Sequence, residues 1–203
     1  MSVKTRIAVL VSGGGTNLQA LINAERAGKI PHGEIVLVVA SNASAYALQR
    51  AADAGIEACV ISKKELGSQE RFEEVLQDTL CTHRIDLIIL AGFLNILSED
   101  FTRKWPERII NVHPSLIPSF CGKGMYGLKV HEAALAKGVK VTGATVHFVN
   151  EIPDGGTILL QKAVYVQDGD TPEILQRRVM EEAEWILLPQ AAELIAERIS
   201  EEK

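Results

Sequence analysis

Four runs of strand length, IAVLV at 7–11, EIVLVVA at 34–40, EACVI at 57–61 and IDLIILA at 85–91, are apolar with little interruption rather than in alternation. A strand with one wet face alternates; a continuous run rich in Val and Ile needs cover on both faces, the condition of a parallel sheet between helical layers. The segments between the runs supply that cover. Leu18 to Ala27, Ala45 to Ala54 and Gln69 to Thr82 read as crossover helices, the last with Phe72, Val75, Leu76 and Leu80 at helical spacing. Right-handed βαβ connections are then expected.

The pattern changes after residue 140. VTGATVHFVN at 141–150 and TILLQKAVYV at 157–166 are joined only by EIPDGG, too short for a helical crossover, so these two strands are expected to run antiparallel. The segment from Thr171 to Glu202 opens with Thr-Pro-Glu, an N-cap followed by proline at the first helical position, and Pro189 is expected to kink or divide it. With 203 residues and no linker, repeat or low-complexity tract, one domain over 1–203 is expected. Its class is α/β: a Rossmann-like, mainly parallel twisted sheet with flanking helices and a C-terminal antiparallel strand pair.

A net charge of -5 gives no broad attraction to nucleic acid or an anionic membrane, so neither is expected as a partner, while a local phosphate pocket stays open. Cys59, Cys81 and Cys121 form no CxxC pair and suit reduced thiols; Cys59 and Cys81, at the edges of apolar runs, are expected as buried small apolar side chains. MSVKTRIAVLV lacks the core and cleavage site of a secretory leader, and no stretch approaches the roughly 20 apolar residues of a membrane span. A soluble cytoplasmic location is expected.

Two stretches carry chemistry. The first strand ends in SGGGTN, Ser12 to Asn17, and a helix starts at once. Successive glycines let backbone N–H groups converge on an anion at a helix N-terminus. The dinucleotide fingerprint is absent: counting from Gly13, the sixth position is Leu18, no GxxxxGK[ST] occurs, and the second strand ends in Ala40-Ser41-Asn42 without an acid for a ribose diol. A monophosphate therefore fits better than NAD or ATP. The plainer alternative is a tight turn that needs glycine only for its backbone angles.

The second stretch, RIINVHPSLIP, puts Asn111 and His113 two residues apart at the carboxyl end of a strand, where their side chains share a side and where open α/β sheets bind ligands. Asp154, in the IPDGG connection, can orient the imidazole and favour its charged form. His147, on an alternating strand, either joins this cluster or lies on the opposite face. An amide donor beside a His–Asp pair, without an evident nucleophile, suits direct acyl transfer through an oxyanion. Ser115 follows a proline and has no GxSxG elbow, so it reads as loop hydrogen bonding. No His/Cys/Asp set has ligand spacing, and no metal is expected.

Together VLVSGGGTNLQALI, LAGFLNILS, INVHPSLIPSF and TGATVHFVNEIPDGG resemble the folate-dependent glycinamide ribonucleotide formyltransferases of purine synthesis, in order and approximate spacing over nearly the full chain. HPSLIP and the Asp-containing loop also occur in methionyl-tRNA formyltransferase and formyltetrahydrofolate hydrolase. The SGGGTN turn sets the chain apart from the first, and HPS in place of His-His-Ser from the second. The resemblance implies Asn111, His113 and Asp154 as the catalytic trio, and Gly15, Thr16 and Asn17 as holders of the ribonucleotide phosphate. It further implies Leu94, Asn95, Ile96 and Leu97, with Gln69 and Asn111, on the folate, and Glu184 on the ribonucleotide. 10-Formyltetrahydrofolate is the implied co-substrate and glycinamide ribonucleotide the acceptor.

Departures from the family pattern lie at Asn95, where many members have Arg, and at Gln69, near another cationic position; both lower positive charge by the folate tail. The loop CGKGMYGLKVHEAAL, 121–135, is longer than in some members. Its Lys123 and His131 are open to substrate contact, the plainer readings being a solvated lysine and a helix-cap histidine. A phosphometabolite sensor with a structural His113 is the reading from another class, and formyltetrahydrofolate hydrolase the rival within enzymes. The oligomeric state stays open, a homodimer included.

Overall fold

The computed structural model describes residues 3–203; Met1 and Ser2 lie outside the described residues. From its start the chain forms β1 (Thr5–Val11), α1 (Thr16–Arg26), β2 (Gly33–Ala40), α2 (Ala47–Ala54) and β3 (Ala58–Val60). There follow α3 (Lys63–Leu66), α4 (Gln69–Thr82), β4 (Leu87–Leu90), α5 (Glu99–Thr102), β5 (Ile109–His113) and α6 (Leu128–Lys137). β6 (Val141–Phe148), β7 (Ile158–Tyr165), α7 (Pro172–Val179) and α8 (Trp185–Glu201) complete it, with a π-helical turn at Met180–Glu184 between the last two helices.

All seven strands form one sheet in the order β3-β2-β1-β4-β5-β6-β7. The first five run parallel, β6 is antiparallel to β5, and β7 is antiparallel to β6. The mainly parallel sheet with a late antiparallel pair is thus the class expected from the apolar runs. β1 shows why those runs are continuous. Ile7, Val9 and Val11 pack into a core with Leu18 and Leu21 of α1, Ala47 and Ala51 of α2, and Leu188 and Ile195 of α8. Ala8 and Leu10 point the other way, into a second core with Phe72, Leu76 and Leu80 of α4 and Phe101 of α5. From Ile7 to Val11 neither face of the strand meets water. The expected cover is missing for EACVI, which forms the edge strand β3 with Ala58 and Val60 exposed.

Several helices start where a hydroxyl caps them. Ser68 accepts from the Arg71 N–H at the start of α4, Ser98 from Phe101 at α5, and Thr171 from Ile174 at α7, where Pro172 follows. Each satisfies a first-turn donor that the helix leaves unpaired. Two further expectations need correction. Cys81 is exposed, because Phe72, Leu76 and Leu80 make the core face of α4 and a residue one step beyond Leu80 is turned about 100° off that face. Pro189 lies buried inside α8 without dividing it; the division is the π-helical turn upstream. The carbonyl that loses a donor to Pro189 is that of Trp185, the first residue of α8, so the defect falls at a junction already reset. Cys59 is half-buried, and burial, aided by the charge of Glu57, pushes its thiol pKa up. No helix among the described residues is long and apolar enough to cross a membrane.

Phe72 is fully buried at the centre of the second core. Phe72→Ala is expected to cost about 3–5 kcal/mol of unfolding free energy. Urea denaturation of parent and variant measures it, and an unchanged midpoint would mean that α4 does not hold this face of the sheet.

Candidate active site

β1 and β4 are adjacent, and the loops that leave their carboxyl ends diverge. Ser12 sits at the point of divergence. Its N–H donates to the Gly92 carbonyl at 3.1 Å, and its Oγ accepts from the Leu94 N–H at 2.9 Å and the Ser41 hydroxyl at 2.8 Å. The ends of β1, β2 and β4 are thereby tied at one hydroxyl. Beyond it, Gly15 takes a left-handed conformation (φ 70°) as N-cap of α1, which has no side-chain cap and no acidic residue in its first turn. Among the described residues, the amides of residues 13 to 18 have no acceptor. A Cβ on Gly13 or Gly14 would meet nothing within 4 Å, so packing does not demand glycine there; access to the backbone does. Unpaired donors at a helix N-terminus, reached through open space, suit an anion.

The turn forms one wall of a cleft of about 420 Å³, and Asn111, His113 and Asp154 lie in the same cleft with Glu184 and Leu94. β5 carries the first two. Its register against β6 puts His147 directly opposite Asn111, and the Asn111 Nδ2 lies 3.2 Å from the His147 Nε2. The His147 Nδ1 is 2.7 Å from the Phe148 carbonyl; a carbonyl only accepts, so Nδ1 carries the proton. His147 therefore joins the cluster, on the face that spacing alone left undecided. His113 is buried, with its Nε2 donating to the Phe120 carbonyl at 2.9 Å and its Nδ1 3.6 Å from the Asp154 Oδ2.

Asp154 adopts φ 58°, a left-handed conformation that Asp and Asn tolerate better than most residues. The turn is held tightly, since a Cβ on Gly156 would fall 1.8 Å from the Phe148 carbonyl oxygen. The carboxylate accepts from the Gly122 N–H at 2.8 Å and lies 3.6 Å from the His147 Nε2. At that distance neither ring makes a well-formed hydrogen bond to it. Burial by itself would raise the Asp154 pKa, but His147, His113 and the Gly122 N–H together outweigh it and hold the carboxyl below its usual range. It is ionised at neutral pH.

The remaining expected positions divide. Thr16 and Asn17 open α1 on the cleft, but the Asn17 side-chain amide is occupied, its Nδ2 donating to the Glu184 Oε2 at 2.7 Å, which leaves its backbone N–H open. Glu184, in the π-helical turn, is buried, and burial pushes its pKa up to about 7 against the Asn17 hydrogen bond. Leu94 and Ile96 are exposed apolar side chains after β4, whereas Leu97 packs in the second core and offers a ligand only its backbone. Asn95 is half-buried. Gln69 lies outside the cleft; its Nε2 donates to the Ile96 carbonyl at 3.0 Å and so braces that segment. Beside Gln69 a second cavity, about 410 Å³, is lined by Glu70, Glu73, Glu74, Asp78 and Asp100. Lys123 is exposed, and Ser115 is buried with its hydroxyl on the Ser119 carbonyl. His131 is no cap: it is fully buried within α6, neither ring nitrogen has a partner among the described residues, and burial, with the charge of His113, lowers its pKa to about 4. Val130 and Ala134 make the buried side of α6, and His131 is turned inward with them. Among the described residues no group of three or more His, Cys, Asp or Glu side chains could hold a metal ion.

A carboxylate-backed imidazole beside an amide donor, neither with a nucleophile at hand, is equipped to pass an acyl group between two bound molecules, and the fold that carries them is that of a Rossmann-like transferase. Residues 5–191 match the formyl transferase family, and the chain belongs to it. It is 38% identical over 197 residues to the chloroplastic phosphoribosylglycinamide formyltransferase of Arabidopsis thaliana, covering 97% of this chain and 67% of that one. It is 46% identical to part of the trifunctional purine biosynthetic protein adenosine-3 of Gallus gallus, covering 95% of this chain but only 18% of that protein's length. Glycinamide ribonucleotide transformylase 1 from Symbiobacterium toebii superposes with a TM-score of 0.89 at 42% identity, covering 96% of this chain and 89% of the other.

Glu184 makes a pH-dependent contribution to folding. Its carboxyl titrates at about 7 in the fold against 4.5 ordinarily, so between these values the folded chain keeps a proton that the unfolded chain releases. Stability from this group is fully present below the unfolded pKa and is lost as pH rises through the folded one, on the order of 3 kcal/mol in all. Urea denaturation across pH 4 to 8 is expected to show the parent losing stability relative to Glu184→Gln by about that amount. Asp154 is common to both proteins and cancels. A difference that does not vary with pH would mean that Glu184 is ionised in the fold.

Proposed function

We propose that this protein transfers the formyl group of 10-formyltetrahydrofolate to the amine of glycinamide ribonucleotide in de novo purine biosynthesis, by direct attack through a tetrahedral oxyanion. The observation that carries this reading is the meeting of two unlike subsites in one cleft: the open amides of Gly13 to Asn17 and the Asn111–His113–Asp154 cluster. The amides take the phosphate of the ribonucleotide, with Gly15, Thr16 and Asn17 at the helix N-terminus, and Glu184 contacts the same molecule. The segment Leu94 to Leu97, braced by Gln69, takes the folate.

The acceptor amine attacks the formyl carbon, and the carbonyl oxygen becomes an oxyanion. The Asn111 amide has two N–H groups; one faces His147, which leaves the other for the oxyanion. The His113 Nε2–H is the second donor once the Phe120 carbonyl yields it. One such donor is typically worth about 2.7–4 kcal/mol of barrier. Asp154 supports the charged ring and, through water, moves the proton from the attacking amine to the leaving nitrogen of the folate. Residues 1–203 are taken as one domain for this chemistry, at work in the cytoplasm, where the three free cysteines stay reduced.

Formylfolate consumption measured with and without glycinamide ribonucleotide tests the reading. Turnover is expected only with the acceptor; turnover without it would make the protein a hydrolase, and none with either would leave a binding protein. Asp154→Asn, which suits the left-handed backbone at that position, is expected to lower kcat roughly a hundredfold or more while KM values move less. A kcat near that of the parent would remove Asp154 from the trio.

The acidic cavity beside Gln69 adds to the loss of cationic residues at 69 and 95. Gln69→Arg with Asn95→Arg is expected to tighten binding of folates that carry long glutamate tails, with a gain that shrinks as salt rises. Titration with mono- and polyglutamyl folates at two ionic strengths measures it; a salt-insensitive gain, or none, would mean that the tail does not pass this surface.

A further inference from the structure

α2 stands directly behind the Gly-rich turn. A Cβ on Gly15 would lie 2.7 Å from the Ala47 Cβ, and the Ala47 N–H donates to the Gly13 carbonyl at 3.2 Å. Arg50, half-buried and one turn along α2, donates from Nε to the Gly14 carbonyl at 2.8 Å and from Nη1 to the Gln19 Oε1 of α1 at 3.0 Å. Its guanidinium sits 5.1 Å from the centroid of the Tyr46 ring, which further restricts where it can lie.

A trans peptide unit sets its C=O and N–H on opposite sides. With the Gly13 and Gly14 carbonyls drawn toward α2, the Gly14 and Gly15 N–H groups are turned away from it, toward the cleft that these residues line. Gly14 has no neighbour that would fix it sterically, and glycine has more backbone freedom than any other residue. The direction of the Gly15 N–H therefore rests on the hydrogen bond from Arg50.

We propose that Arg50 is a positioning residue for the substrate phosphate: it does not touch the phosphate but holds the Gly14–Gly15 peptide so that its N–H faces the anion. This deepens the function proposed above and rests on it. The role depends on the planar fork of the guanidinium, which reaches Gly14 and Gln19 together. A lysine keeps the charge but gathers its donors on one flexible nitrogen in place of the fixed fork.

Calorimetric titration of parent, Arg50→Lys and Arg50→Gln with glycinamide ribonucleotide, and with the same molecule lacking its phosphate, tests the assignment. Both variants are expected to bind the ribonucleotide about tenfold more weakly, as for loss of a charge-assisted hydrogen bond. Binding of the dephosphorylated molecule, KM for formylfolate and kcat at saturation are expected to match the parent, and thermal unfolding confirms that the variants fold. Ribonucleotide affinity within twofold of the parent in both variants would overturn the proposal. Full recovery in Arg50→Lys would also overturn it, reducing Arg50 to a charge, as would equal weakening of the dephosphorylated molecule. A parent that takes no ribonucleotide sinks the functional reading itself, and the inference with it, before any substitution is compared.

Discussion

β1 and β4 are neighbours in the sheet, yet the chain leaves them toward opposite faces. From β1 it enters α1, which packs on the core that holds Ile7 and Val9; after β4 it continues to Leu97 and Phe101, which pack on the core that holds Ala8 and Leu10. Two loops that part in this way cannot close over the strand ends between them, and a crevice follows from topology before any side chain is chosen. Ser12 stands where the two loops part and ties three strand ends together. The rest of the site is arranged around that crevice: open amides on one wall, the polar cluster of β5 on the other.

The cluster owes its geometry to the reversal of β6. β6 ends with Phe148 beside Ile110, and the connection to β7 folds back from there until Asp154 lies 3.6 Å from the His113 Nδ1. Antiparallel pairing sets His147 opposite Asn111 and leaves the β6–β7 connection beside His113, where Gly156 presses against the Phe148 backbone and Asp154 is fixed in a left-handed conformation. Orientation passes along this chain of contacts, from the Phe148 carbonyl through the His147 ring to the Asn111 amide. The carboxylate is ionised and the amide aimed by the backbone rather than by solvent.

Much of this was legible in the residues. The continuous apolar runs named the buried strands β1, β2 and β4, which have cores on both faces, but overstated EACVI, which forms the exposed edge strand β3; the six-residue EIPDGG connection named the late hairpin because no helix fits in it. Asn111, His113 and Asp154 were visible as polar residues at strand ends. What escaped depends on register or on contacts between elements. His147 needed the pairing of β6 with β5 to be placed; Arg50 looked like any polar residue on an amphipathic helix until α2 was set against the Gly-rich turn. His131 was misread because a histidine near a helix start is commonly a cap, and only the packing around α6 shows it turned inward with Val130 and Ala134. Pro189 misled for a related reason: its effect on the helix depends on what lies four residues upstream, here a junction.

The loop between β5 and α6 touches the cluster through only two backbone groups, the Phe120 carbonyl on His113 and the Gly122 N–H on Asp154. From Lys123 to Gly127 it has no part in holding His113 to Asn111, which the sheet register does alone. Doubling the length of a flexible loop costs only about 0.6 kcal/mol. This segment is therefore an exchangeable cassette: evolution or a protein engineer can lengthen, shorten or graft it to reshape the rim of the cleft while Asn111 and His113 keep their places.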